Sequence, residues 1–378
     1  MDFELTEDQQ LLRDAAKSVL ERECPPSLVR TAYEGDATEA GAALWQTMIA
    51  VDWPAIAVPE PLGGLGLGFV ELALLCEETG RFCAPSPFMS TVTQFVPFVL
   101  EAAGSEQQKS LLGAVTGLGA TGTLAVAEPG HGWNLRKLNA VARRSGGGWV
   151  LDGRKTFVFD GARADTVAVV AAETVGGQPG VFVVPGSRCQ ASNLEVIDPS
   201  QPLADLVFDG TEVPDDGVLV EPGDPRGETA IRRAIEQAVT AQALSMTGTC
   251  RAIFETTLQY TKDREQFGRP IGSFQAIKHR LVDMLIALER ASSLAYFAAL
   301  TIAEDDPRRS VAASMAKTAA GDCQRLLVQD GLQLHGGVGF MWEQDLHMHL
   351  KRAKSGDFLL GSAAEHKAAI SRSLGLVA

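Results

Sequence analysis

Two segments in the C-terminal half hold the residue types best suited to binding a phosphate-bearing molecule. The first, residues 263–284, reads DREQFGRPIGSFQAIKHRLVDM. Arg264 suits a pyrophosphate because a planar guanidinium donates two parallel hydrogen bonds and keeps its charge. Gly268 permits a sharp turn because it has no Cβ. The candidate binding residues of this segment are Arg264, Gln266, Phe267 and Gln275.

The second segment, residues 333–340, reads QLHGGVGF, and glycines without side chains let a backbone approach a ligand closely. Its candidate binding residues are Gln333, His335, Gly336 and Gly337. Each segment also has a simpler interpretation. The first is then a helix end, a loop and a new helix, with Arg264 as a surface charge and Phe267 in the core. The second is then a helix terminated by glycine.

Other arrangements that could carry chemistry are incomplete in this sequence. His347 and His349 would share one face of a strand, but no cysteine or acidic cluster with metal-ligand spacing accompanies them, so we predict no metal site. The sequence GGLGLG at residues 63–68 lacks the strand–turn–helix unit and the following acid of a dinucleotide fingerprint. No G-x-S-x-G nucleophile motif occurs.

The elements that must position these residues fall into three regions. Residues 1–118 show helical spacing of apolar residues, and residues 225–378 show it again in longer pieces. Residues 119–224 contain short Val- and Phe-rich runs between Gly, Asp and Pro, which predicts an antiparallel sheet or barrel. The order helix–sheet–helix predicts an α+β protein with three domains at these boundaries. The C-terminal helices are apolar enough to pack on each other and on a second subunit.

Composition narrows the class of protein. A net charge of −14 and a pI of about 4.9 disfavour nucleic acid, whose binding needs a surplus of Lys and Arg. The six cysteines are scattered without a CxxC pair, which favours reduced thiols in the cytoplasm. The acidic N-terminus does not resemble a signal peptide. We find no run of about 18 apolar residues and therefore expect no membrane span.

The two segments resemble signatures of the acyl-CoA dehydrogenase family, in which R-x-x-F-G-x-x-[IL]-x-x-F-Q joins two long helices. Four further stretches, LTEDQQLLRD, PEPLGGLGLG, AEPGHG and LDGRKTFVFDGARAD, extend the resemblance over nearly the whole chain. The resemblance implies a helical N-terminal domain, a β-domain and a C-terminal four-helix bundle. It also implies FAD at a subunit interface, with the first segment gripping its ADP part and both segments reaching across the interface to a neighbour's FAD, and an electron-transfer flavoprotein as electron acceptor.

The family removes the α proton of an acyl-CoA thioester with a carboxylate while the β hydride passes to the flavin. This chain departs from the family at the expected carboxylate. A family Glu before glycine aligns with Leu360, and the alternative position in the preceding long helix aligns with Ala238. The fallback base is Glu236, which is otherwise a solvated acid beside Arg232 and Arg233. Two acids flank Leu360 and are further alternatives, namely Asp357 and Glu365.

The β-domain also departs from the family where the flavin ring is normally held. Ala127 stands in place of a Thr, and Trp133 stands in place of a small Ser. The family triplet whose last hydroxyl reaches the flavin ring is Phe157-Val158-Phe159 here, and Phe159 has no hydrogen-bonding group. The chain therefore keeps the groups that the family gives to a neighbour's FAD and lacks those that hold its own.

This pattern resembles the base-lacking subunit of actinobacterial α2β2 acyl-CoA dehydrogenases of steroid side-chain breakdown. The resemblance implies a second, base-bearing subunit as partner and a bulky acyl-CoA as substrate. Three alternatives remain open from the sequence. They are a self-sufficient homo-oligomeric dehydrogenase that uses Glu236 or another unrecognised carboxylate, an oxygen-using flavin monooxygenase of the same fold, and a structural partner that binds no ligand.

Overall fold

Helices form both ends of the chain and strands form its middle in this computed structural model, which describes residues 4–35 and 37–376. The first helix begins where Thr6 and Gln9 form a reciprocal capping box, as the Thr6 N-cap predicts. The α-helices are α1 (Glu7–Glu23), α2 (Pro26–Glu34), α3 (Ala37–Ala50), α4 (Phe69–Arg81), α5 (Phe88–Ser90), α6 (Val96–Ala102), α7 (Ser105–Leu118), α8 (Pro225–Asp263), α9 (Gln275–Ala303), α10 (Arg309–His335), α11 (Leu346–Phe358) and α12 (Ala363–Ser373).

The strands form one large sheet and one small hairpin. They are β1 (Gly122–Ala125), β2 (Val141–Ser145), β3 (Gly148–Phe159), β4 (Thr166–Ala172), β5 (Pro179–Pro185), β6 (Gln190–Asn193), β7 (Leu203–Pro214), β8 (Val218–Val220), β9 (Glu265–Gln266) and β10 (Arg269–Pro270). The large sheet has the order β6-β7-β3-β2-β4-β5-β8, with β1 beside β4. Most pairs are antiparallel, but β4 pairs in parallel with β1 and β2, so the predicted all-antiparallel sheet is corrected to a mixed one. The long connection from β1 to β4 permits this, because parallel pairing needs a crossover.

The described residues form two compact units. The helical unit contains residues 4–35, 69–84 and 239–376, and the sheet unit contains residues 37–68 and 85–238. In the sheet unit, β4 is buried on both faces, because Val167 and Val169 join one apolar cluster while Ala168 and Val170 join another. The predicted domain boundaries near residues 118 and 224 fall between α7 and β1 and between β8 and α8. The three-domain division stays a prediction.

In the helical unit, α9 packs against α8 and α10 through an apolar cluster that includes Met284 and Leu288. Its other side leaves Val282 and Ile286 more than half exposed. By length and composition this helix could cross a membrane, with a mean hydropathy of 1.4 in its most apolar window. That corrects the expectation that no such stretch exists. The same test is passed by core helices, and 44% of this window is buried within the protein.

Glu78 on α4 is a buried carboxyl of the helical unit. Its side chain is almost fully buried, and Oε2 has no hydrogen-bond partner. Arg81 Nη1 lies 3.8 Å from the other oxygen. Burial raises the pKa of Glu78 from 4.5 to about 7, opposed by the charge of Arg81 and reinforced by that of Glu77. The folded protein therefore binds this proton more tightly than the unfolded chain does.

We expect the free energy of unfolding to fall as the pH rises from 4.5 through about 7, because ionising Glu78 costs more in the folded state. The loss attributable to this group is about 3 kcal/mol, from the conversion of a pKa shift to free energy. Glu78→Gln removes this titrating carboxyl, so the free energy of unfolding of the variant increases relative to that of the wild type as the pH rises. Urea unfolding at several pH values measures the difference. Glu71→Gln on the same helix is the control, and parallel curves for wild type and Glu78→Gln would contradict the prediction.

Candidate cofactor-binding site

The segment between α8 and α9 folds into a short hairpin. Gln266 pairs with Arg269, which leaves Phe267 and Gly268 as the two turn residues. Both have positive φ, 55° and 77°, as a two-residue type I′ turn requires. Gly268 adopts this conformation without strain, but a bulky residue such as Phe267 does so at a cost. The amide of Ile271 donates to the carbonyl of Arg264 (2.8 Å) and closes the base of the hairpin.

The side chains of this hairpin face solvent. Phe267 is 91% exposed, so its assignment to a core by the simpler interpretation is wrong. Arg264 is exposed, and its guanidinium has no partner among the described residues. Arg269 instead stacks on the ring of Phe274 at 4.2 Å. Gln266 and Gln275 are exposed as well, so the predicted binding side chains are accessible to a ligand or to another chain.

The second segment, residues 333–340, contains the end of α10 at His335. Gly336 follows with a φ of 59°. The helix therefore does terminate at a glycine, as the simpler interpretation predicted. Gly336 and Gly337 are exposed, and a Cβ at either position would meet nothing within 4 Å. Gln333 is also exposed. The open space beside the two glycines suits close approach of a ligand to the backbone.

His335 differs from its neighbours because its imidazole is buried. Its Nδ1 lies 2.9 Å from the Gly331 carbonyl, which can only accept, so Nδ1 carries the proton. Burial lowers the pKa of His335. The ring stacks on Tyr260 with centroids 4.3 Å apart. Tyr260 lies in the last turn of α8, so this stack brings the two predicted segments together in the helical unit.

Leu360, at the position expected for the family base, lies in a buried turn between α11 and α12. It is 3% exposed and has a positive φ of 57°, which is unusual for leucine. The fully buried Lys317 donates from Nζ to the carbonyls of Asp357 (2.9 Å) and Gly361 (2.7 Å). Burial lowers the pKa of Lys317 to about 8. The Lys317 ammonium thus holds the backbone of this turn through two hydrogen bonds. The side chain of Leu360 has no group that accepts a proton.

Of the two acids that flank Leu360, Glu365 is engaged in a helix cap, whereas the buried Oδ1 of Asp357 has no hydrogen-bond partner among the described residues. Glu365 accepts from the amide and hydroxyl of Ser362 (2.8 Å each) in the capping box of α12. These contacts lower the pKa of Glu365, the backbone hydrogen bond first. Asp357 is 8% exposed and lies against α10, where a Cβ on Gly321 would be 2.5 Å from its Oδ1. Asp357 therefore points into the helical core.

The alternative base positions on α8 belong to the sheet unit. Ala238 is fully buried and has no ionisable group. Glu236 was expected to be a solvated acid, but it is only 6% exposed, which corrects that expectation. Its Oε1 accepts from Arg232 Nη1 at 2.8 Å, while Arg233 pairs with Glu101. Burial on this helix could not be read from the sequence, because it depends on which elements pack around it.

The positions expected to hold a flavin ring lack suitable groups. Phe159 is buried, and its hydrogen bond is made by the backbone, whose carbonyl accepts from Thr123 Oγ1 at 2.5 Å. Trp133 is half-buried and packs on an apolar cluster of the sheet unit. Ala127 is fully buried, and its carbonyl accepts from the Thr156 amide at 2.9 Å. Aromatic and methyl groups fill the places where the family has hydroxyls.

A buried ion pair in the sheet unit was not predicted. Lys155 and Glu128 are 0% and 3% exposed, with Nζ 2.7 Å from Oε1. Glu128 also accepts from the amides of Asn139 (2.6 Å) and Ala140 (3.0 Å). Burial lowers the pKa of Lys155 to about 8, against the opposing effect of Glu128. The sequence signal for this pair was a charged residue in each of two otherwise apolar segments. That the two residues pair across 27 positions could not be predicted from the sequence.

The histidines of the HMH sequence do not form a metal site. His347 and His349 lie on α11 and not on a strand, so they do not share one face. Both imidazoles are close to backbone carbonyls, with His349 Nε2 3.1 Å from the Arg81 oxygen. Within residues 4–35 and 37–376, no group of three or more potential metal ligands occurs.

FAD is the cofactor that the resemblance implies, and the two units differ in the groups they offer to it. The helical unit offers groups suited to an ADP moiety, because the exposed Arg264 guanidinium has no partner among the described residues and two glycines are unobstructed. In the sheet unit, residue 159 does not suit a flavin ring, because Phe159 is buried and its side chain has no donor.

Comparison with known proteins gives three matching family models. They are the N-terminal domain of acyl-CoA dehydrogenase (residues 6–115), the middle domain (residues 123–209) and the C-terminal domain (residues 226–375). Acyl-CoA dehydrogenase IpdE2 of Mycobacterium tuberculosis is 31% identical over 363 residues, which cover 95% of each chain.

Two solved structures have the same fold over nearly the full length. The ChsE4-ChsE5 complex from Mycobacterium tuberculosis matches with a TM-score of 0.89 and 25% identity, and covers 100% of both chains. A variant of the Tcur3481-Tcur3483 steroid ACAD matches with a TM-score of 0.87 and 27% identity, and covers 98% of both chains.

Proposed function

This chain belongs to the acyl-CoA dehydrogenase family, an FAD-dependent oxidoreductase family, and from that premise we propose that it is the subunit without a catalytic carboxylate. In this proposal it completes the FAD site of a partner chain. The residues proposed to contact the partner's FAD are Arg264, Gln266, Phe267, Gln275, Gln333, His335, Gly336 and Gly337.

The observation that carries the proposal is the unequal state of the two ends of the cofactor site. Groups suited to the ADP part are exposed and unobstructed in the helical unit, with Phe267 at the tip of a protruding turn. Groups suited to the flavin ring are missing, because Phe159 is buried and its side chain has no hydrogen-bonding group. A subunit that serves a neighbour's cofactor and holds none of its own needs only the first set.

Backbone strain supports the same proposal. Phe157, Phe267 and Leu360 all have positive φ (53°, 55° and 57°), and each lies in a segment where the family places functional residues. Bulky side chains rarely adopt this conformation, and strained residues cluster at functional sites. The strained backbone at residues 157 and 360 therefore occurs where this chain has no catalytic or flavin-binding group.

When bound, FAD supplies the hydride acceptor for α,β-dehydrogenation. This chain's contribution is binding and orientation. The Arg264 guanidinium would donate to pyrophosphate oxygens, and the glycines after His335 would let the backbone approach the cofactor closely. The His335 ring stacks on Tyr260 and is hydrogen-bonded to the Gly331 carbonyl. It thereby holds the glycine segment, Gly336–Phe340, in place. A carboxylate that removes the α proton is assigned to the partner.

We further propose a heterotetramer with a base-bearing acyl-CoA dehydrogenase chain, a bulky acyl-CoA such as a steroid side-chain thioester, and an electron-transfer flavoprotein as acceptor. Similarity to a complex of two named chains and to a steroid ACAD supports this choice. The homo-oligomeric alternative needs Glu236 or another carboxylate as base, and the ion pair of Glu236 with Arg232 weighs against Glu236 in that role. We propose that the assembly acts in the cytoplasm.

The visible spectrum tests the proposal. We expect the chain purified alone to be colourless, and its complex with the product of the adjacent gene to hold one FAD for every two chains. Leu360→Glu is the matched variant, and in the isolated chain it should give no dehydrogenation of acyl-CoA, because the flavin contacts are still missing. One FAD per chain in the isolated protein would refute the proposal and redirect the search for a base to Glu236.

A further inference from the structure

The exposed segment that follows the glycines contains one residue that is held unusually firmly. Trp342 is 46% exposed, yet its carbonyl and its indole N–H are both engaged. Its carbonyl accepts from Arg30 Nη1 (2.7 Å) and from His347 Nε2 (3.2 Å), and its indole N–H donates to Glu34 Oε1 (2.7 Å). Exposed connections are normally among the more mobile parts of a fold. These contacts to α2 and α11 remove that freedom at residue 342.

Aromatic contacts hold the same side chain. The Trp342 ring stacks on His347, with centroids 4.6 Å apart and planes 17° apart. Tyr33 on α2 meets both rings edge-on, at 6.5 Å and 5.8 Å. Lys351 Nζ lies 4.7 Å from the centre of the Trp342 ring and 4.9 Å from that of Tyr33. Such pairs add to the free energy of ordering beyond their buried area. The Trp342 anchor consists of Arg30, Tyr33, Glu34, Trp342, His347 and Lys351.

The glycine segment thus lies between two clamps. At its start His335 is stacked on Tyr260, and at its end Trp342 is held by the anchor. Between them Gly336–Phe340 form a short 3-10 helix, and a Cβ at Gly336 or Gly337 would meet nothing within 4 Å. A segment of glycines would otherwise sample many backbone conformations, and a ligand would have to select one of them. Clamping both ends lowers that ordering cost before a ligand arrives.

We propose that the Trp342 anchor is a positioning device that holds the glycine segment in its FAD-binding conformation and so sets how long FAD stays bound. None of the anchor residues lies in the two predicted binding segments, and three of them come from α2, more than 300 positions earlier in the chain. The inference rests on the proposed function, because it requires the glycine segment to contact FAD in an assembly.

The test is the rate at which FAD leaves the FAD-containing assembly that the chain forms, followed by flavin fluorescence after dilution. We expect Trp342→Ala to speed this release about tenfold, since small losses of preorganisation cost one to two orders of magnitude. Trp342→Phe keeps an aromatic ring for His347 and should restore most of the loss. Glu34→Ala, at an exposed helix position, removes the indole acceptor and should have an intermediate effect. Leu11→Ala, an exposed apolar residue of α1, is the control.

Thermal midpoints measured on the same samples separate positioning from general destabilisation. Faster release by Trp342→Ala at unchanged midpoint, with rescue by Phe, supports the inference. Unchanged release, or faster release that follows a lowered midpoint without rescue, overturns it. Arg264→Ala in the same assay tests the proposed function separately. If Arg264→Ala speeds release and Trp342→Ala does not, the anchor inference alone fails. If Arg264→Ala has no effect, the assignment of the FAD-binding segments fails.

Discussion

Arg264→Ala is expected to weaken FAD binding by the assembled protein by one to two orders of magnitude. A hydrogen bond to a charged group contributes about 1.5–3 kcal/mol, and each 1.4 kcal/mol is about a factor of ten in affinity. The guanidinium is exposed and has no partner among the described residues, so its removal leaves no buried charge behind. The loss should therefore fall on the ligand and leave folding intact. Titration of the apo assembly with FAD measures it.

Arg269→Ala is the matched control for that experiment. Arg269 lies on the same hairpin and carries the same charge, but its guanidinium is stacked on Phe274 at 4.2 Å. Removing it tests whether any loss comes from the general positive field of the hairpin. Arg264→Lys keeps the charge without the planar fork and should bind FAD with intermediate affinity. Equal affinity of the wild type and Arg264→Ala would favour a structural partner that binds no cofactor.

Glu128→Gln is expected to lower the free energy of unfolding by about 3–5 kcal/mol, the usual cost of breaking a buried ion pair from one side. The fully buried Lys155 would lose its charge partner at 2.7 Å, and the amides of Asn139 and Ala140 would face an amide in place of a carboxylate. Urea unfolding followed by circular dichroism at neutral pH measures the change.

A double variant distinguishes loss of the ion pair from loss of packing. Lys155→Met together with Glu128→Gln removes the orphaned charge and keeps an acceptor oxygen for one of the two backbone amides, so it should recover part of the lost stability. Glu106→Gln breaks the exposed pair with Lys109 and should change stability little. If Glu128→Gln unfolds at the wild-type urea concentration, the pair does not stabilise the sheet unit as we infer.

Much of the fold and of the candidate site follows from features that are local in the chain. The helix and strand regions were predicted from apolar spacing, and the acyl-CoA dehydrogenase fold is confirmed. The turn at Gly268 and the end of α10 at Gly336 follow from the conformational freedom of glycine. The lack of a carboxylate at residue 360 and of a hydroxyl at residue 159 is a matter of residue type. The sequence shows directly which functional groups are missing at these positions.

Burial and pairing required the folded chain, because they depend on residues far apart in sequence. Phe267 is exposed where an apolar residue suggested core, and Glu236 is buried where its charge suggested solvent. Parallel pairing of β1 with β4 cannot be read from strands whose composition is the same in either direction. The ion pair of Lys155 and the contact of Trp342 with α2 join residues that no local pattern connects. Side-chain type and spacing therefore identify which groups the chain has, and packing decides which of them can meet a ligand.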